Sequence, residues 1–347
     1  MITLRKLSDI NFDSIQSVAW GYESVSLDQC LLESVDASRD IFLARIAEGL
    51  PCYGVTTGLG NQVGRVLEDE ERASIATNML RARSAAVGRP IQTEIVRATM
   101  MIRLINFLSG RDGVSAALVK YIVGLLNARV TPWIPEMGHG MAADAIANSH
   151  GFQVITGEGF VVGEGGCRLP AGEGLLQAGL DVYTPKDKEG IALINGVTIA
   201  PAFAIAAYRR LLKLLGLANY VSAMSVEGLA APKDAFDSEL LDVVPEPGVR
   251  QVLKHFQKLF TGSEVTPFKL QAPVSYRVIP QVHGAMHDAL NNLLQQIHFS
   301  LGGFSGNPMM TSGQPQELLS VGVFHNQQLP VLFDNLAVWL VVEYPHR

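Results

Sequence analysis

A tyrosine sits at the base of a glycine-rich stretch, Tyr53-Gly-Val-Thr-Thr-Gly-Leu-Gly60. The glycines let such a loop close over a pocket, and a phenol can carry a proton as acid or base. The stretch is no phosphate loop: no Gly-Lys-Ser/Thr follows, and the spacing is not that of a dinucleotide turn. His283 and His287 stand four residues apart, on one face of any helix, a spacing that suits a metal. His139, Asp144 and His150 are candidates for a third ligand. No glutamate follows His283 as a general base, and paired helical histidines also serve as plain hydrogen-bond partners. Cys52 is a nucleophile only with a base beside it, and otherwise a small buried residue. The acidic run Leu67-Glu-Asp-Glu-Glu-Arg reads as a solvated helix start.

These residues need a scaffold, and the periodicity supplies a mainly helical one. Ser38 to Leu50 has helical spacing. Beyond Glu68, Ile75, Met79, Leu80 and Ala82 make one apolar face, and Val96 to Leu108 another. Ala116–Ala128, Pro201–Ala230, Pro247–Phe260 and Pro280–Gly302 follow as helices, the third and fourth opened by proline. Pro201–Ala230 is apolar nearly all round, which predicts burial on most sides. Thr3 to Leu7 reads as a short strand, and the seven glycines of 157–174 as a hairpin or loop. The expected fold is mainly α with a small α/β N-terminal portion.

Composition narrows the function. The chain has 347 residues, a net charge of −6, only 17% charged residues, and a mean hydropathy of +0.21. A nucleic-acid binder would carry a basic stripe. So little charge over so much apolar surface points to burial between subunits. Three scattered cysteines, Cys30, Cys52 and Cys167, form neither a disulfide framework nor a C-x-x-C zinc pair. The first residues hold no apolar signal core. The apolar run Ile191–Tyr208 is long enough for a membrane span, but Asn195, Gly196, Thr198 and Pro201 make it a loop followed by a buried helix. The expectation is a cytoplasmic oligomer without membrane or nucleic-acid partners.

Tyr53-Gly-Val-Thr-Thr-Gly-Leu-Gly resembles the tyrosine loop of the aromatic amino acid ammonia-lyase family, which includes histidine and phenylalanine ammonia-lyases and aminomutases. Further segments resemble it in the same order. They are Leu125-Leu-Asn-Ala-Arg-Val-Thr-Pro-Trp-Ile-Pro-Glu, Lys188-Glu-Gly-Ile-Ala-Leu-Ile-Asn-Gly, Ser225-Val-Glu, Leu270-Gln-Ala-Pro-Val-Ser-Tyr-Arg-Val-Ile-Pro-Gln-Val, Gly306-Asn-Pro and Val323-Phe-His. The resemblance implies an ammonia-lyase-like helical bundle and a homotetramer whose active sites draw on several subunits. It implies catalytic roles for Tyr53, Asn195 and Arg277, the last to hold a substrate carboxylate. It implies substrate contacts at Gly60, Arg83, Gln281, Asn307, Phe324 and His139. It divides the chain into residues 1–190, with the tyrosine loop and cofactor turn, and 191–347, the long-helix bundle. The last helix expected, from Asp334, is still running at Arg347, so the chain matches about the first two thirds of such a protein.

The departures define the problem. The family cyclises an internal Ala-Ser-Gly to methylidene-imidazolone, an electrophile. Gly138-His-Gly-Met-Ala-Ala-Asp-Ala-Ile-Ala-Asn-Ser-His150 aligns here without a gap, placing Met141-Ala142-Ala143 on the triad. Ala142 has no hydroxyl to lose, and Ser149 lies elsewhere, so no cofactor is expected. Arg83 replaces a family histidine, Val274 a second tyrosine, and His283 and His287 replace apolar residues. Three readings follow. One is an electrophile-free enzyme doing elimination, addition, isomerisation or cyclisation on an activated small carboxylate or amino-acid-derived substrate. Another is a non-catalytic binding or regulatory homologue. The third is a metal-dependent lyase or hydrolase using His283 and His287.

Overall fold

The computed structural model describes residues 1–138, 142–267, 270–313 and 315–343. Strand β1 (Ile2–Leu4) pairs in parallel with β2 (Val25–Leu27) across helix α1 (Phe12–Ala19). α1 starts where Asn11 Oδ1 accepts the N–H groups of Asp13 and Ser14, both at 3.1 Å, and Ser14 Oγ accepts the Asn11 N–H in return. α2 covers Gln29–Ala47, beginning nine residues before the expected Ser38 and stopping short of Leu50. Asp28 caps its start by accepting the Cys30 N–H, and Gly49, with φ +90°, turns the chain out of the helix. α3 (Asp69–Arg83) buries Ala76, Met79 and Leu80, whereas Ala82, expected on that face, is exposed. Positions 76, 79 and 80 hold the i, i+3, i+4 spacing; 82 does not.

α4 (Thr93–Leu108) is buried on every side and forms the centre of the first unit. α5 (Ala116–Asn127) packs on it, capped by Ser115. Buried Arg97 of α4 donates to the carbonyls of Val18 (2.8 Å) and Leu126 (3.0 Å) and lies over the Tyr22 ring. Its charge is thus distributed onto carbonyls of the last turns of α1 and α5, of which that of Leu126 also accepts the Arg129 N–H at 3.2 Å. β3 (Val87–Pro90) pairs antiparallel with β4 (Pro135–Met137). α6 (Ala145–Phe152) leads to the hairpin β5 (Phe160–Val162) and β6 (Arg168–Pro170), as the glycine-rich stretch predicts, and α7 (Ala171–Gln177) takes over its last residues. α8 (Glu189–Ile194) is wholly buried.

α9 (Ile199–Gly228) runs for 30 residues, about 45 Å at the helical rise. The run Ile191–Tyr208 is therefore a helix end, a break at 195–198 and a new helix start. Burial on most sides fails for the distal part of α9: Leu212, Leu217, Tyr220, Val221 and Met224 are exposed, Met224 by 73%. A helix this long extends past what one local core can cover.

The remaining helices are α10 (Leu240–Val243), α11 (Pro247–Leu259), α12 (Val274–Arg277), α13 (Ile279–Leu301) and α14 (Gln328–Glu343). β7 (Met309–Met310) and β8 (Leu318–Leu319) form a short antiparallel pair. Met1–Phe203 with His298–Asn326 makes one compact unit, and Ala204–Ile297 with Gln327–Arg347 a second. This division follows chain contacts and differs from the single cut at 190/191 drawn from motif content. The second unit has its own core, in which Phe256 stacks on Phe236 at 4.7 Å beside Val226, Val252 and Ile279.

Candidate functional site

The Tyr53 loop is built on the Cys52 carbonyl, which accepts the N–H groups of Val55, Thr56 and Thr57 at 2.9–3.2 Å. Gly54 takes φ +72° and leans on α3 and α8, its Cα hydrogen pointing between Leu59, Met79 and Ile191. Tyr53 is half-buried, and its hydroxyl oxygen accepts the Gly60 N–H at 3.0 Å, leaving its own O–H to donate. Gly60 is exposed with φ +59°. Cys52 is buried, which pushes its thiol up to about 11 against a weaker opposing effect of Lys188. It is therefore protonated at neutral pH and unsuited to nucleophilic attack.

α8 delivers Asn195. Its start is fixed by two buried charges in sequence. Lys188 Nζ holds the Asp112 carboxylate at 2.7 Å and the Asp112 carbonyl at 2.9 Å. Glu189 accepts from Ser115 Oγ (2.7 Å), Tyr183 (3.0 Å) and the Lys186 N–H (2.9 Å). Gly190 lets α8 press on α3, since a Cβ there would fall 2.4 Å from Ala76 Cα. Asn195 then ends α8 rather than capping the next helix. Its side-chain N–H donates to the Asn307 carbonyl at 2.9 Å, and its own carbonyl accepts from Arg103 Nη1 at 2.6 Å. Asn307 is buried, with its amide oxygen held by the Val321 N–H. Phe324 is half-buried in the segment that follows.

The segment aligned with the cofactor turn is described from Ala142; His139 and Met141 lie outside the described residues. Ala143 has φ 71° and ψ 21°, and Asp144 φ 48° and ψ 24°. Two consecutive left-handed residues that are not glycine cost roughly 1–2 kcal/mol each. Asp144 offsets this by placing Oδ2 on the N-terminus of α9, accepting from the N–H groups of Thr198 (2.8 Å), Ile199 (3.0 Å) and Ala200 (3.3 Å). Burial raises its carboxyl pKa, and those three N–H groups oppose the shift. Asn148 donates to the carbonyls of Ala143, Ile194 and Gly196, which ties the turn to both flanks of Asn195. His150 Nε2 accepts the Ala86 N–H at 2.9 Å, three residues beyond Arg83 at the end of α3. Arg83 is half-buried, and its guanidinium has no partner among the described residues. The tyrosine loop thus leans on α3 and α8, and the turn on the flanks of Asn195 and the segment that follows α3, all within the first unit.

Arg103 is the residue of this neighbourhood that the sequence reading missed. It is fully buried in α4, and burial lowers its guanidinium to about 10. Its Nε and Nη2, and the Asn106 amide nitrogen, lack protein partners among the described residues. The sequence offered no distinct signal for it, since α4 also carries Arg97, Thr99 and Asn106.

The second unit carries the other expected residues. Arg277 ends α12 and is exposed; Glu227 holds Lys233 at 2.6 Å and accepts from Ser263 Oγ at 2.9 Å. Gln281 is exposed in the first turn of α13. His283 is buried with Nδ1 on Asn219 Oδ1 at 2.6 Å, and burial pushes its imidazole down to about 4. Burial also lowers that of His287. Among the described residues no three His, Cys, Asp or Glu side chains are grouped to hold a metal. Asp144 and His150, the proposed third ligands, are engaged as described above.

The fold places the chain among helical amino-acid lyases and aminomutases. It superposes on tyrosine aminomutase from Streptomyces globisporus with a TM-score of 0.89 and 26% identity, covering 95% of this chain and 66% of that one. Residues 10–342 match the family model of aromatic amino acid lyases, and the chain belongs to that family. Histidine ammonia-lyase of Caldanaerobacter subterraneus subsp. tengcongensis is 30% identical over 340 residues, 96% of this chain and 66% of the relative. That of Deinococcus radiodurans is 30% identical over 338 residues, 95% and 64% respectively. The chain therefore spans just under two thirds of the length of these relatives.

Proposed function

We propose that this chain is a lyase-fold enzyme without methylidene-imidazolone, doing acid/base chemistry on an activated small carboxylate or amino-acid-derived substrate. The observation that carries the reading is the turn at Ala142-Ala143. Ala143 keeps the left-handed backbone suited to a glycine, while the residue types cannot form the group. The residues present do not fit it: the methyl of Ala142 offers no leaving group. Ammonia elimination from an ordinary aromatic amino acid needs that electrophile. A substrate whose C–H bond is already acidified by a neighbouring carbonyl does not.

In this reading Tyr53, acting as the phenolate after giving its proton to solvent, takes the proton from that carbon, and the C–H electrons form the new double bond as the leaving group departs with its pair. The reverse sequence is addition; return of the proton elsewhere is isomerisation. Asn195 orients a carbonyl through its amide, and Arg277 holds the carboxylate with its planar guanidinium fork. Gly60, Asn307, Gln281, Phe324 and His139 complete the substrate contacts, and Arg83 receives a second anionic or carbonyl group. We place the protein in the cytoplasm as a homo-oligomer, a tetramer, whose sites take residues from more than one copy. The exposed apolar residues Leu217, Val221 and Met224 of distal α9 support that assembly.

The test is proton exchange. Incubated in deuterated water with a panel of small carboxylates, the wild-type protein should incorporate deuterium at carbon into at least one, followed by NMR. Tyr53→Phe should abolish incorporation. Exchange that survives in Tyr53→Phe contradicts the mechanism. The names of the relatives favour a second reading, ammonia elimination from histidine. Its signature in the same assay is release of ammonia from histidine.

A further inference from the structure

A cavity of about 470 Å³ lies in the second unit, lined from α9, α11 and α13, apart from every residue assigned above to the reaction. That volume falls within the usual range of small-molecule sites. Lys254 and Lys258 line it four residues apart on α11, so they face the same way and repel each other. Both are exposed, and neither has an ion-pair partner among the described residues. No carboxylate is among the described lining residues; Asp288, next to His287, is not part of the wall.

The rest of the wall supplies neutral donors and an aromatic surface. Asn219 is only 3% exposed and lends its side-chain oxygen to His283, which leaves its amide nitrogen as the donor on this wall. His287 enters from α13, half-buried. The rings of Tyr220 and His255 meet edge to face at 5.9 Å. Two ammonium groups on one face of α11, an amide N–H and an imidazole match the charge and the several acceptor oxygens of a tetrahedral dianion better than a single carboxylate. The ring pair gives an apolar wall to whatever the dianion is attached to.

We propose that this cavity binds a small phosphate-bearing molecule, with Lys254 and Lys258 as the charged contacts and Asn219 and His287 as neutral ones. The site is independent of the Tyr53 chemistry. Isothermal titration calorimetry of the whole chain with inorganic phosphate and with phenyl phosphate, against sodium chloride at matched ionic strength, tests it. The expected result is saturable binding of at least one, weakened about tenfold or more in Lys254→Ala/Lys258→Ala and in Gln251→Glu. Both changes fall on exposed positions of α11, and thermal melts of the variants check that the fold persists. Tighter binding of phenyl phosphate assigns an ester; equal binding assigns free phosphate. No saturable heat with either probe, or affinities that both variants leave within about twofold of wild type, overturns the proposal.

Discussion

The Tyr53 loop and the 142–150 turn both pass through left-handed backbone, but they reach it with different residues. The loop uses Gly54 and Gly60, which adopt positive φ without strain. The turn uses Ala143 and Asp144, which do not. The loop is held by a net of its own backbone bonds with the Cys52 carbonyl as hub, by the Cys52 N–H on Thr56 Oγ1 at 2.7 Å, and by one phenol contact at its rim. The turn is pinned by a carboxylate on three N–H groups and by an amide on three carbonyls. The loop carries its positive φ on glycines and so stores no such strain. A strained, heavily tethered turn is a fixed wall, and its strain persists because the network around it outweighs it.

Removing the tether should have the largest effect. Asp144→Ala leaves three N–H groups at the start of α9 without their acceptor and should cost about 2–4 kcal/mol, measured by urea unfolding. A loss below about 0.5 kcal/mol would mean that the turn is not pinned there.

The next largest effect concerns pH and the second unit, which serves as a control for the turn. The imidazole of His283 sits near 4 in the folded protein against about 6.5 when unfolded. The folded state then binds fewer protons, so the stability this residue contributes is present above about pH 6.5 and lost as pH falls toward 4. Roughly 3 kcal/mol should vanish over that window, and His283→Gln should remove this share of the pH dependence while leaving the effect of Asp144→Ala unchanged.

Glycine exchange in both directions sharpens the contrast further. Ala143→Gly should stabilise the protein by about 1 kcal/mol, because it relieves left-handed strain. Gly54→Ala should destabilise it by about 1–2 kcal/mol, since it adds that strain and brings a methyl within 2.9 Å of Leu59. Thermal melts of the two variants should shift in opposite directions; shifts of the same sign would erase the distinction. The smallest effect on stability belongs to Tyr53→Phe, about 0.5–1 kcal/mol for one partly exposed hydrogen bond, although it should remove all proton exchange.

The chemistry-bearing order of the chain was legible because it rests on residue types: a tyrosine among glycines, Lys188-Glu-Gly before Asn195, and a turn lacking its serine. The fold class was legible because helical periodicity recurs over long stretches. Other features have no such trace. α2 begins early because Asp28 caps a first turn whose only well-buried side chain is Leu32, too sparse a pattern to read. The distal part of α9 is apolar all round, and periodicity cannot distinguish a core helix from one that exposes its apolar residues. Ala143 gives no local sign of positive φ; only alignment to a glycine suggests it. Arg103 looks like any helical arginine until its burial beneath Asn195 is seen.

The central claim is that this turn is an ordinary peptide, and peptide mass mapping across residues 138–150 of the purified protein tests it most directly. The account predicts the mass of uncyclised Met141-Ala142-Ala143, with no water lost. A dehydrated, cyclised species at that turn would contradict it and return the protein to electrophile-dependent ammonia elimination.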